Sequence, residues 1–385
     1  MDFDISWLLL SLPIAFVLGW TASRLDLRQL RLENRRAPKA YFRGLNFLLN
    51  EQPDQAIDAF IEAVQNDPDT SELHFALGNL FRRRGEYERA VRVHQHLLSR
   101  GDLSSADRHR AQHALALDYQ RAGLLDRAEE ALRKLEGTVY ESEARLALLA
   151  NYERSRDWVQ AAAVAQRLDD AEHGSFAGRL AHHLCEQSAA RWAAHDADAA
   201  LKLLEEAIAK APAAPRPRLE MAKLLGQRGQ PQQALAALLS VFEVAPTAVP
   251  LIAAQLAQLA IACGQVQPVL ERLQGHYADA PCLDSLEAIV TLQRRSGMGA
   301  VESHQWYLRH LEHEPSLVAA TRWIADQGVL QAPAQPLVQR ALDHAVKPLM
   351  RYRCAACGFE ARQHFWQCPG CQAWDSYPAR RVEEL

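Results

Sequence analysis

Apolar residues recur at helical spacing along most of this chain, in amphipathic stretches separated by glycine, proline or short polar runs, which predicts long helices. Two stretches can be laid in register. "GLNFLLNEQPDQAIDAFIEAVQNDP" begins at Gly44 and "GNLFRRRGEYERAVRVHQHLLSRGD" at Gly78, 34 residues later. Ala56 and Ala90 share that offset, each small where two helices must approach. Ala128, Ala161, Ala200 and Ala234 continue the series in steps of 38, 33, 39 and 34. Pro68, Pro212 and Pro246 close units at matching places. A period of this length means stacked supersecondary units, each covering its neighbour's apolar face.

The first unit carries Gly44, Ala56, Phe60, Ala63 and Pro68 at small, aromatic and closing positions, and on these residues the pattern resembles the tetratricopeptide repeat. Later units degenerate: Tyr119 and Tyr152 keep an aromatic in the first helix, and Trp158 stands where Tyr87 would. Beyond residue 250 the apolar pattern persists while the signature fades, for about eight units in all. The resemblance implies a superhelix with a concave, protein-binding face lined by the first helix of each unit. Candidate partner-binding residues there are Asn79, Arg82, Arg83, His113, Gln120, Arg121 and Arg154.

The amino terminus breaks the pattern. "ISWLLLSLPIAFVLGWTAS" has 19 residues without a charge, and as a helix it would span roughly 28 Å, near the thickness of a hydrocarbon core. Trp7 and Trp20 sit near its ends, as interfacial indoles do. "MDFD" supplies no basic n-region and no small-residue cleavage site follows, so an anchor is expected rather than a signal peptide. Residues 24–39 carry a net charge of +4, which orients the amino terminus outward and the body into the cytoplasm.

Composition narrows the function. The 385 residues are 49% hydrophobic and 23% charged with a net charge of −4, so no basic field argues for nucleic acid. Of seven cysteines, Cys185, Cys263 and Cys282 are scattered through helical stretches and read as packing thiols. Cys354, Cys357, Cys368 and Cys371 form two CxxC pairs, "CAACGFEARQHFWQCPGC". In a reducing compartment such pairs bind metal rather than form disulfides, and four thiolates suit one zinc or one iron ion equally. With Tyr352, Phe359, Trp366, Trp374 and Tyr377 around it, the segment resembles a rubredoxin-like metal-binding domain. Only ten residues separate the pairs and Gln372 replaces a second glycine, departures that favour a structural over an electron-transfer site. A clip this small depends on its metal for stability, and it is expected to pack against the repeats and cap the array.

No nucleotide, zinc-protease or hydrolase motif is present, and the helical pairs His109/His113 and His310/His313 read as chance, so an enzyme is not expected. The expected fold is all-α: an anchor at 1–23, a basic linker at 24–39, a tetratricopeptide-like superhelix at 40–345 and a rubredoxin-like clip at 350–378. That order, with "YRCAACGF" and "WQCPGCQAW" at its end, resembles the lipopolysaccharide assembly protein B family of Gram-negative bacteria. The resemblance implies an inner-membrane adaptor that presents the deacetylase committing precursor to lipid A (LpxC) to the membrane-anchored ATP-dependent protease FtsH. It further implies other lipopolysaccharide assembly or sensing proteins of the inner membrane as partners, and a homo-oligomer is compatible with it. Two other readings stay open: a redox-active or metal-sensing membrane protein using the four cysteines, and a generic complex-assembly scaffold.

Overall fold

A computed structural model describes residues 16–17, 20, 40, 42–66, 70–169, 175–296, 300–327 and 335–385. The expected anchor and basic linker lie outside the described residues apart from Phe16, Val17 and Trp20. Among the described residues, no helix is long and apolar enough to cross a membrane. The chain divides into two compact units, 1–157 and 158–385.

The first unit holds α1 (42–49), α2 (Pro53–Asn66), α3 (Ser71–Arg83), α4 (Tyr87–Ser99), α5 (Ser105–Arg121), α6 (Leu125–Arg133) and α7 (Glu141–Ser155). The 34-residue glycine spacing has a steric cause. A Cβ on Gly44 would lie 3.1 Å from the Phe60 ring, and one on Gly78 would lie 2.5 Å from the His94 ring. Phe60 and His94 are themselves 34 residues apart, so each glycine is the floor on which an aromatic of the second helix rests. Ala56, Ala90 and Ala128 are fully buried, as close helix approach requires.

The second unit holds α8 (Trp158–Asp169), α9 (Ala177–Ala193), α10 (Ala197–Lys210), α11 (Arg216–Gln227), α12 (Pro231–Leu239), the single turn α13 (Val241–Val244), α14 (Val249–Ala262), α15 (Val266–Asp279), α16 (Leu283–Arg295), α17 (Ala300–His313), α18 (Leu317–Gln327) and α19 (Gln335–Val346). Ala161, Ala200 and Ala234 are again fully buried. The turn between paired helices recurs in both units. Gly85, Gly123, Gly229 and Gly264 adopt the left-handed conformation there, His195 takes it at the equivalent place, and Arg156 takes it at the end of α7. In each turn the next N–H reaches back over the helix end, as from Glu86 to Phe81 O (2.9 Å) and from Gln265 to Ala260 O (2.9 Å). Helical pairing therefore continues past residue 250, where the sequence signature fades. The expected mostly helical, tetratricopeptide-like fold is what the chain adopts.

Helix α14, "VPLIAAQLAQLAIA", is apolar on nearly every side, and such a helix needs cover all round. Ile252, Leu256 and Ala260 enter the repeat core, while Leu251 packs against a small cluster of Tyr352, Cys354, Cys368 and Tyr377. That cluster belongs to the carboxy-terminal segment, whose two short strands β1 (Tyr352–Arg353) and β2 (Glu360–Ala361) pair antiparallel with Tyr352 opposite Ala361.

Candidate metal centre and its seat on the repeats

Two knuckles of identical hydrogen bonding build the cysteine site. In the first, Cys354 N donates to Phe359 O (2.9 Å) and Gly358 N donates to Cys354 O (2.9 Å). In the second, Cys368 N donates to Ala373 O (2.8 Å) and Gln372 N donates to Cys368 O (2.9 Å). The shared turn needs a left-handed residue after each pair: Gly358 has φ 78° and Gln372 has φ 63°. Gln372 thus adopts the glycine's conformation, at a cost of about 1 kcal/mol for a residue with a Cβ.

The four sulfurs lie within 4.8 Å of one another, with Cys354 to Cys371 at 3.8 Å and Cys357 to Cys368 at 3.7 Å. A regular tetrahedron with metal–sulfur bonds of about 2.3 Å has edges of about 3.8 Å, so this spacing fits one tetrahedral ion. Electrostatics point the same way. The Ser376 hydroxyl, 3.3 Å from Cys354 Sγ, holds that thiol down at about 6. The Phe359 backbone draws the exposed Cys357 down too, but local desolvation and the three neighbouring sulfurs override it and leave this thiol at about 12. Four thiolates at this distance cannot coexist without a cation to balance them. Among the described residues this is the one cluster of three or more ligand-type side chains able to hold a metal. His310 turns inward to Tyr277 while His313 is exposed, and that pair builds no site. Burial pushes Cys185 up to about 12 and Cys282 to about 11, as expected of inert packing thiols.

The clip is fixed to the repeats by groups outside the cysteine knuckles, with His182, Arg216 and Asp375 joining the aromatic Trp374. His182 on α9 stacks on Trp374, ring centroids 4.6 Å apart and planes at 17°. Its Nε2 lies 2.9 Å from both carboxylate oxygens of Asp375, while Arg216 points Nη1 at its Nδ1 (3.4 Å). Arg216 in turn donates to Glu186 at 2.6 Å. An acceptor on one ring nitrogen and a donor beside the other select the tautomer with the proton on Nε2. Trp158 meets the edge of Trp374 at 6.2 Å. Asp375 sits in the left-handed region (φ 50°), which Asp tolerates better than most residues and which aims its carboxylate at α9.

A second seat involves the last residues. Arg381 donates from Nε and Nη2 to Asp284 at 2.9 and 2.8 Å, donates to Met350 O at 2.9 Å, and lies 4.2 Å over the Tyr352 ring. Glu384 accepts from Leu283 N (2.7 Å) at the start of α16, and Glu383 accepts from Leu317 N (2.6 Å) and Ser316 Oγ (2.8 Å) at the start of α18. Carboxylates from the chain end thus satisfy orphan donors at two helix N-termini. The pair His182 and His183, flanked by Leu180, Ala181, Leu184 and Cys185, was the available signal; nothing local marks Arg381, Glu383 or Glu384.

The expected groove residues are placed in the first unit. Arg82 donates to Ala114 O (3.0 Å) and to the fully buried Asp118 (2.9 Å), and it also bonds Asn79. Asp118 bonds His94 as well. Gln120 donates to Ala147 O (2.7 Å) and Arg154 to Gln120 O (2.8 Å). His113 stacks on Tyr140 at 5.3 Å, and burial lowers its pKa. Arg82, Gln120 and Arg154 therefore stitch successive first helices together, while Arg83 and Arg121 are exposed.

Known proteins match both halves of this picture. A family model described as a rubredoxin metal binding domain matches residues 352–377, and a tetratricopeptide repeat model matches 191–259. Lipopolysaccharide assembly protein B of Escherichia coli (strain K12) is 32% identical over 98% of this chain and 99% of its own length. The protein of that name from Haemophilus influenzae (strain ATCC 51907 / DSM 11121 / KW20 / Rd) is 27% identical over 97% of each chain. Among solved structures, a tetratricopeptide repeat protein from Parabacteroides merdae ATCC 43184 superposes loosely, with a TM-score of 0.34 and 14% identity over 67% of this chain and 98% of that one. Similarity across nearly the full length, together with the repeat helices and the four-cysteine knuckles, establishes that the chain belongs to the lipopolysaccharide assembly protein B family.

Proposed function

We propose that this protein is a non-enzymatic adaptor of the bacterial inner membrane that restrains lipopolysaccharide synthesis by presenting the lipid A-committing deacetylase to the protease FtsH. On this reading residues 1–23 are the anchor, 24–39 a basic cytoplasmic linker, 40–345 the repeat array and 350–378 the metal-binding domain. Cys354, Cys357, Cys368 and Cys371 hold one zinc or iron ion in a structural role. The observation that carries the proposal is 32% identity over 98% of the chain to a protein named for lipopolysaccharide assembly. The clip seated on the repeats supports it, because an adaptor needs a fixed surface more than a mobile redox group. Tethering beside membrane partners raises effective concentration without tight pairwise binding.

Capture from membranes with wild type and with a Cys354→Ser/Cys357→Ser variant, read by mass spectrometry, tests the reading. The protease and the deacetylase are expected with wild type, with at least one lost from the variant. Absence of both from the wild-type sample, with reversibly reducible iron in the protein, would replace it with the redox reading.

A further inference from the structure

Between α18, α19, the clip and the chain end lies a cleft of about 1120 Å³. Arg322, Lys347, Arg351, Arg362 and Arg381 line it, against the single carboxylate of Asp343. Three of these cations have internal partners: Arg322 with Glu287, Arg351 with Glu360 and Arg381 with Asp284. Lys347 and Arg362 are exposed and make no ion pair among the described residues. A protein of net charge −4 thus gathers five cations in one recess and leaves two of them unneutralised. Concave walls concentrate such a field, and it selects an anionic ligand.

The size and lining indicate what kind of anion. The volume exceeds the usual range for small-molecule sites and far exceeds the needs of a single phosphate. Val318, Val346 and Met350 add apolar wall between the charges. Beside the rim sits the chain's own acidic end, the 3-10 turn Val382–Glu384: Val382 N donates to Arg351 O (2.8 Å) and Glu383 N to Leu349 O (3.3 Å). We propose that this cleft is a docking site for an acidic peptide segment of a partner protein, with Lys347 and Arg362 as its carboxylate-binding residues. The proposal adds a contact site to the adaptor reading, and its test requires neither the deacetylase nor the protease.

The full-length protein in detergent, with its clip metal bound, would be titrated into a fluorescein-labelled nonapeptide of alternating Glu and Leu. A Gln-for-Glu peptide serves as control, and fluorescence anisotropy is the readout. The acidic peptide is expected to bind at least about ten-fold more tightly than the control, and Lys347→Glu/Arg362→Glu to remove that preference. Affinity should fall as salt rises. Metal content and helical circular dichroism of the variant must match wild type, and Lys347→Gln/Arg362→Gln offers a milder change if they do not. Equal binding of the two peptides, or binding unaltered in both double variants, overturns the proposal. So does binding of inorganic phosphate or phosphatidylglycerol vesicles that depends on Lys347 and Arg362 while the acidic peptide fails to bind.

Discussion

The repeats and the clip hold themselves in place by different means. In the repeats each contact is local. Small residues such as Gly78 and Ala90 let adjacent helices touch, and polar ties such as Arg82 to Asp118 or Arg154 to Gln120 span 34 to 36 residues, about one unit. The clip has almost no core of its own, and it is secured by partners far away in sequence. His182 reaches Asp375 across 193 residues, Arg381 reaches Asp284 across 97, and Glu384 reaches Leu283 across 101. A repeat array can lose one tie and keep its neighbours, because its stability is close to a sum over adjacent units. The clip depends on one ion and two seats, so damage there should be all-or-none.

Metal removal is the most severe way to break that contrast. Chelation, or Cys354→Ser/Cys357→Ser, is expected to remove folding free energy on the order of 10 kcal/mol from the clip. Limited proteolysis should then cut within 346–385 while fragments from residues 42–157 remain intact. Next in size is Arg381→Ala. It leaves Asp284 largely buried without its bidentate partner, which costs about 3–5 kcal/mol, and it should lower the melting temperature of the second unit even with metal bound. Gly78→Ala tests the repeats in the same way. The added methyl meets the His94 ring, which its bond to buried Asp118 keeps from moving, for a cost of about 1–3 kcal/mol. Its effect should appear in hydrogen exchange of α3 and α4, with clip metal content unchanged.

Mild acid should act on the repeats through buried imidazoles. Burial lowers the pKa of His113 and His310, so the folded state favours their neutral forms. Their contribution is intact above the unfolded value of about 6.5 and is lost as pH falls through it toward the lower folded values. Melting temperature should therefore drop between pH 7.5 and 5.5, and by less in a His310→Gln variant. The smallest expected effect is a gain. Gln372→Gly removes left-handed strain in the second knuckle and should stabilise the metal-loaded clip by up to about 1 kcal/mol.

How far the sequence could be read follows the same division. Period, small residues and helix phase are local, so the repeat helices and the CxxC knuckles were legible; that Gly44 and Gly78 seat the Phe60 and His94 rings emerges only from the structure. After residue 250 the marker residues fade, but the apolar phase alone kept the helices there legible, and the structure continues them. The seven groove candidates were placed on their helices but not by use: an outward arginine reads alike whether it meets solvent or, like Arg82, a buried aspartate on the next helix. Contacts such as His182 with Asp375, or Glu383 at the start of α18, join residues with no shared period, and no pattern in a single sequence pairs them. The chain-end carboxylates look like an ordinary polar tail until the helix starts they cap are seen.

The central claim is that metal, clip and chain end form one cooperative lock on the last repeats. Hydrogen–deuterium exchange of metal-loaded and chelated protein tests it most directly. The account predicts that chelation releases the clip and, together with it, the amides of Leu283, Leu317 and Val318, because Glu383 and Glu384 leave with the clip. Faster exchange confined to residues 350–378, with the first turns of α16 and α18 unchanged, would contradict it.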